Sequence, residues 1–162
     1  MINVIVVDDH PLMRLGIKSS LQKFVDEIKV VGEASTADEL FKVLQDLDVD
    51  VILLDIQMPG MSCEEAVKKL KSERSDIKVI IVSSNYEEET IFRLVEFGID
   101  GFVPKMAKVE DIRNAILEVF LGRLTTFFIN ISHPPYPPLP HLHESPLSNH
   151  LPHSHSPFSP NS

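Results

Sequence analysis

The architecture is most legible in Val51-Ile52-Leu53-Leu54-Asp55-Ile56-Gln57-Met58-Pro59-Gly60. Four apolar residues in succession, with no polar alternation, describe a strand covered on both faces, as in a parallel sheet. An aspartate ends the run, and Pro59-Gly60 turns the chain. Ser62-x-x-Glu65 then forms a capping-box pattern ahead of Ala66, Val67 and Leu70, spaced as on a helix. The unit is strand, acidic end, turn, helix.

Working outward, the unit repeats. Val4-Ile5-Val6-Val7 ends at Asp8-Asp9, and Pro11 opens a helical pattern of Met13, Ile17, Leu21 and Phe24. Val79-Ile80-Ile81-Val82 ends at Ser83-Ser84. Glu87, Glu88 and Glu89 then place negative charge at the positive end of a helix carrying Ile91, Leu94 and Val95. Lys29 to Gly32 and Gly101 to Val103 are weaker strand candidates. Thr36-x-x-Glu39 is a second capping-box pattern, ahead of Leu40, Val43, Leu44 and Leu47, and Val109, Ile112, Ile116 and Val119 form the last apolar stripe. Five such units predict an α/β fold: a doubly wound five-stranded parallel sheet with right-handed crossovers and order 2-1-3-4-5. Ligands of such sheets collect outside the carboxyl ends of the strands.

With 43% hydrophobic and 24% charged residues, the chain of 162 has the composition of an ordinary globular protein. Its formal charge of −9 speaks against a surface built for phosphate backbones. One cysteine excludes an internal disulfide and a cysteine-rich zinc module. The first residues lack the basic lead of a signal peptide, and no apolar run approaches a membrane span, so no membrane association and a cytoplasmic location are expected. All 15 Lys and Arg residues lie at or before Arg123. From His133 onward the chain is rich in Pro, His and Ser, and Glu144 is its one charged side chain. The expected organisation is therefore a folded body over 1–124 and a disordered low-complexity tail over 125–162.

The strand ends carry the chemistry. Asp8, Asp9, Asp55, Ser83 and Lys105 each follow or close a strand at the same end, so the fold should gather them in one crevice. Carboxylates ~4 Å apart repel by about 4 kcal/mol at an effective dielectric near 20. A hard divalent cation resolves that conflict, and oxygen ligands favour Mg²⁺ or Ca²⁺, with Mg²⁺ suited to a few carboxylates plus a phosphate. A nearby lysine supplies a point charge for an anion. Together these groups describe phosphoryl transfer onto an aspartate. Taken singly, each has a plainer reading: Asp9 as a helix cap, Asp55 as a turn residue, Ser83 as a loop hydroxyl, Lys105 as a solvated charge.

Val6-Val7-Asp8-Asp9-His10-Pro11, Leu53 to Met61, Ile81-Val82-Ser83-Ser84 and Gly98 to Lys105 stand in an order and spacing that resembles the receiver domain of two-component response regulators. The opening Asp-Asp-His-Pro-x-x-Arg-x-Gly, through Arg14 and Gly16, is most similar to the LuxR-type branch. The resemblance covers the body and implies a flavodoxin-like fold. It also implies Asp55 as phosphoacceptor, Asp9 as a direct Mg²⁺ ligand, Asp8 acting on the metal largely through water, and the backbone carbonyl of Gln57 completing the set. Lys105 would hold a phosphoryl oxygen, Ser83 would report its arrival, and Phe102 would stand at the aromatic switch position, with a plain core aromatic as its alternative. A sensor histidine kinase is the implied partner, and a homodimer through the fourth- and fifth-helix face the implied output.

Two departures stand out. Where the family often reads Met-Asp-Gly, this chain has Met61-Ser62-Cys63, and Cys63 reads more simply as a packed residue than as a reactive thiol. The helix-turn-helix domain that normally follows a LuxR-type receiver is not visible after Arg123, so no specific DNA binding by this chain is expected, and a truncated or frame-shifted regulator is one reading of the tail. Competing functions are an aspartate-nucleophile phosphatase, disfavoured because Gln57 stands where a second acid–base carboxylate belongs, and a receiver that binds a partner without phosphate. The pairs His141/His143 and His153/His155 admit metal scavenging, against the plainer reading of unstructured filler.

Overall fold

The structure, a computed structural model, describes residues 1–84 and 87–126, without the Thr126 side chain. The expected tail and its histidine pairs, beyond 126, lie outside the described residues. Strands β1 (Ile2–Val7), β2 (Ile28–Ala34), β3 (Val51–Leu54), β4 (Lys78–Ser83) and β5 (Gly101–Pro104) alternate with helices α1 (Pro11–Leu21), α2 (Ala37–Val43), α3 (Cys63–Glu73), α4 (Glu88–Glu96) and α5 (Val109–Phe120). All neighbours pair in parallel in the order β2-β1-β3-β4-β5, as the crossover spacing predicts.

The apolar runs are continuous because the sheet has two buried faces. Ile5, Val7, Ile52, Leu54 and Ile81 point to one side and pack with Leu40 of α2, Val67 and Leu70 of α3 and Leu94 of α4. Val4, Val6, Val51, Leu53, Ile80 and Val82 point to the other and meet Ile17 and Leu21 of α1 and Ile112, Ile116 and Val119 of α5. Successive strand residues alternate faces, so a run without alternation is what a sheet clothed on both sides requires.

Several elements differ in detail from expectation. α2 stops at Val43 and does not reach Leu47. Its capping box is split: Thr36 accepts from the Glu39 amide at 3.1 Å, but the Glu39 carboxylate reaches back one residue further, to the Ser35 amide at 2.7 Å and hydroxyl at 2.6 Å. Val95, expected in the α4 stripe, is 38% exposed. The sheet also has a sixth parallel strand, β6 (Thr125–Thr126), on the outer edge of β5, so the folded body runs at least two residues past 124. Gly122, at φ +78°, turns the chain back after α5. Gly101 then admits the returning strand, since a Cβ there would lie 2.8 Å from the Thr125 hydroxyl oxygen. Two residues carry no period, which is why no sequence pattern announces β6.

Candidate functional site

Asp8 and Asp55 each sit one residue beyond a strand, and the sheet still uses their backbone. The Asp55 amide donates to the Val7 carbonyl at 2.9 Å, and the Asp8 amide to the Ala34 carbonyl at 3.1 Å, so both are fixed by the sheet before their side chains leave it. Asp8 and Asp55 are each 2% exposed. Lys105 follows β5, its amide held by the Ser83 carbonyl at 2.9 Å. Its ammonium lies 2.6 Å from Asp8 Oδ2 and 3.0 Å from Asp55 Oδ2. Residues from β1, β3 and β5 thus meet at the carboxyl end of the sheet, where the doubly wound topology places ligands.

The remaining candidates are placed around this trio. Asp55 Oδ1 accepts from the Gln57 amide at 3.3 Å, while the Gln57 side chain is exposed. Ser83 closes β4, opposite Pro104, and is buried. Phe102 pairs with Ile81 in the sheet and belongs to the apolar cluster on the α2–α3–α4 side. Cys63 begins α3 as a buried residue, and burial, with the charges of Asp55 and Glu64 behind it, pushes its thiol up to about 12. It therefore stays protonated and acts as a packed side chain.

Two contacts escape a reading of the sequence. His10 donates its amide to Asp8 Oδ1 at 2.8 Å, and its Nδ1 lies 3.1 Å from that same oxygen and 2.8 Å from Asp9 Oδ1. Arg14 Nη1 donates to the Asp8 carbonyl at 2.6 Å. Both residues stand in the Asp-Asp-His-Pro-x-x-Arg stretch, and their spacing by one helical turn was the available signal.

Two carboxylates share one ammonium here, with Asp9 beside them. Burial raises the pKa of Asp55, and the Asp8 charge adds to it, against the bond from Lys105 and the Gln57 amide. For Lys105 burial pulls downward, but the bonds and charges of Asp8 and Asp55 outweigh it and its pKa is raised. The negative excess suits a hard cation. Ligand atoms of Asp8, Asp9, His10 and Asp55 lie within 4.8 Å of one another. Asp9 Oδ1 is a buried atom without a hydrogen-bond partner, with His10 Nδ1 2.8 Å away as its ion-pair neighbour. An unpaired buried carboxylate oxygen beside two further carboxylates fits a divalent cation held through oxygen.

A doubly wound sheet with an aspartate–lysine cluster at its strand ends is the arrangement of a phosphoacceptor domain. Residues 4–117 match the response regulator receiver domain model, and the chain belongs to that family. Its relatives include LuxR-type members. The response regulator GacA of Pseudomonas aeruginosa is 39% identical over 123 residues, which are 76% of this chain and 57% of that protein. The response regulator UvrY of Escherichia coli K12 is 37% identical over 76% of this chain and 56% of its own length. The chain thus spans little more than half the length of these curated relatives. Among solved structures, the isolated receiver domain of RcsB from Salmonella enterica serovar Typhimurium, with the phosphomimetic BeF3⁻, gives a TM-score of 0.71 at 28% identity, covering 77% of this chain and 92% of that one. The non-phosphorylated RcsB receiver domain of Escherichia coli gives 0.72 at 28% identity, covering 77% and 97%. Among the described residues no helix is long and apolar enough to cross a membrane.

Proposed function

We propose that this chain accepts a phosphoryl group on Asp55 from a phosphohistidine of a sensor histidine kinase. The observation that carries the reading is the buried Asp55 carboxylate at the end of β3 with Lys105 Nζ 3.0 Å from Oδ2. In the transfer an Asp55 oxygen bonds to phosphorus, the P–N bond to the kinase imidazole breaks, and that nitrogen keeps the electron pair. Lys105, 3.0 Å from the Asp55 carboxylate, would offset the charge that accumulates on the incoming group. Asp9 and Asp55, the Gln57 carbonyl and, through water, Asp8 would hold Mg²⁺, whose charge offsets that of the carboxylates and phosphoryl oxygens when bound. Ser83, beside Lys105 at the end of β4, is assigned the hydroxyl that reports the phosphoryl group, and Phe102 the aromatic that follows it. Phe92 and Val95, 36% and 38% exposed on α4, are assigned to the surface for self-association.

Acetyl phosphate with Mg²⁺ provides the test. Intact-mass measurement should show one phosphoryl adduct on the parent chain and none on Asp55→Asn. An equal adduct on that variant overturns the assignment.

A further inference from the structure

Arg14 has a contact that its place on the surface of α1 does not require. Its side chain is 15% exposed, and Nη1 donates to the Asp8 carbonyl at 2.6 Å. Its Nε is buried without a hydrogen-bond partner, 3.7 Å from a Glu33 oxygen whose carboxylate is held by Lys18. The guanidinium thus joins two elements at once, in an ion pair with Glu33 of β2 and a hydrogen bond to the Asp8 carbonyl at the end of β1.

The peptide unit links that carbonyl to Asp9. The Asp8 carbonyl and the Asp9 N–H share one rigid plane, so fixing the oxygen fixes the direction in which Asp9 leaves β1. Asp8 is held independently, by Ala34 through its amide and by His10 and Lys105 through its two carboxylate oxygens. Asp9 is not: its side chain is 33% exposed and its buried Oδ1 makes no hydrogen bond. His10 Nδ1 lies 2.8 Å from Asp9 Oδ1, and the preceding peptide plane is the part of the backbone before Asp9 that Arg14 holds. We propose that Arg14 is a positioning residue that aims the Asp9 carboxylate at the cation position through the Asp8 carbonyl. Arginine suits the task because it is always charged and its planar fork restricts the direction of each donor. The inference rests on the receiver reading above, in which Asp9 is the direct metal ligand.

The test uses the full chain with Arg14→Gln, Arg14→Lys and, as a control for the Glu33 contact alone, Lys18→Ala. Two quantities are read by NMR, with circular dichroism reporting the fold: the Asp9 amide resonance without metal, and the Mg²⁺ dissociation constant from its titration. Arg14→Gln should shift the metal-free Asp9 resonance and weaken Mg²⁺ binding by about 10- to 100-fold, the usual effect of losing a group that orients a metal ligand. Arg14→Lys should recover part of both, and Lys18→Ala should change neither. A folded Arg14→Gln variant with the parent's Asp9 resonance and Mg²⁺ affinity overturns the proposal. If Arg14→Gln does not fold, Arg14→Lys, which keeps the stem and the charge, decides in the same way. A parent chain that binds no Mg²⁺ overturns the receiver reading, whereas the metal-free Asp9 resonance still reports whether Arg14 orients Asp9.

Discussion

Asp55 is placed where its charge is a liability to the folded state. Burial is the main cause of its raised pKa, and Lys105, shared with Asp8, offsets it only in part. An acid whose pKa is higher folded than unfolded binds its proton more tightly in the native state. Its contribution to stability is therefore greatest below the ordinary carboxylate range and is lost as pH rises through the raised folded value. Asp55→Asn removes this penalty and leaves Lys105 paired with Asp8 at 2.6 Å. In Mg²⁺-free buffer at neutral pH the variant should be more stable than the parent, by about 1 kcal/mol in urea denaturation. The stability gained over the parent should grow as pH rises from the acidic to the neutral range, because the Asp55 contribution to the pH slope is gone. A less stable variant with the parent's pH slope would show that Asp55 is held by favourable contacts and not tolerated for chemistry.

The α3 helix begins at the departure from the family pattern, Met61-Ser62-Cys63, and its start is well made. The Ser62 hydroxyl accepts from the Glu65 amide at 3.2 Å, and the Glu65 carboxylate accepts from the Ser62 amide at 3.0 Å. Both halves of a capping box are present, so serine at this position supplies a cap next to the loop that carries Asp55. The Ser62 amide and hydroxyl hold the Glu65 carboxyl below the usual carboxylate range. The folded pKa being depressed, the cap is at full strength above the unfolded value and weakens as pH falls through the depressed one. Ser62→Ala should lower stability by about 1 kcal/mol at neutral pH, the ordinary cost of a lost N-cap. Chemical denaturation measures it, and an unchanged midpoint would mean that water replaces the cap without loss.

Asp100 ties distant parts of the molecule together at the end of the sheet opposite the acid cluster. Its Oδ2 accepts from Lys71 Nζ at 2.7 Å and from the Val79 amide at 2.9 Å, and Oδ1 lies 3.3 Å from Lys78 Nζ. Lys71 also donates to the Ile77 carbonyl at 2.8 Å, so α3, the start of β4 and the turn before β5 share one polar clasp. The Asp100 side chain is 16% exposed, and removing it leaves the Val79 N–H without this acceptor, Lys71 with the Ile77 carbonyl alone, and Lys78 without its carboxylate. Asp100→Ala should cost about 2–4 kcal/mol, and Asp100→Asn, which keeps an acceptor for Val79, less. Thermal and urea unfolding of the pair check this; a loss within about 0.5 kcal/mol for Ala would place the clasp among ordinary surface ion pairs.

The apolar runs at Val4–Val7, Val51–Leu54 and Val79–Val82 determine by themselves that the strands are covered on both faces. Their helical partners, as crossovers, determine that the strands run parallel. That much is local, since period and turn chemistry belong to neighbouring residues, and it already sends Asp8, Asp9, Asp55, Ser83 and Lys105 to one end of the sheet. Which of these groups meet is a matter of register. Lys105 reaches an Asp55 carboxylate 50 residues away and shares itself with Asp8 because β5 lies beside β4 and β4 beside β3. The Thr125–Thr126 strand, too short for any period, packs against Gly101, where a Cβ would lie 2.8 Å from the Thr125 hydroxyl oxygen. Arg14 was visible as a motif letter but not as a contact: its acceptor is the Asp8 carbonyl, a group every residue carries, so only the folded chain selects which carbonyl the guanidinium meets.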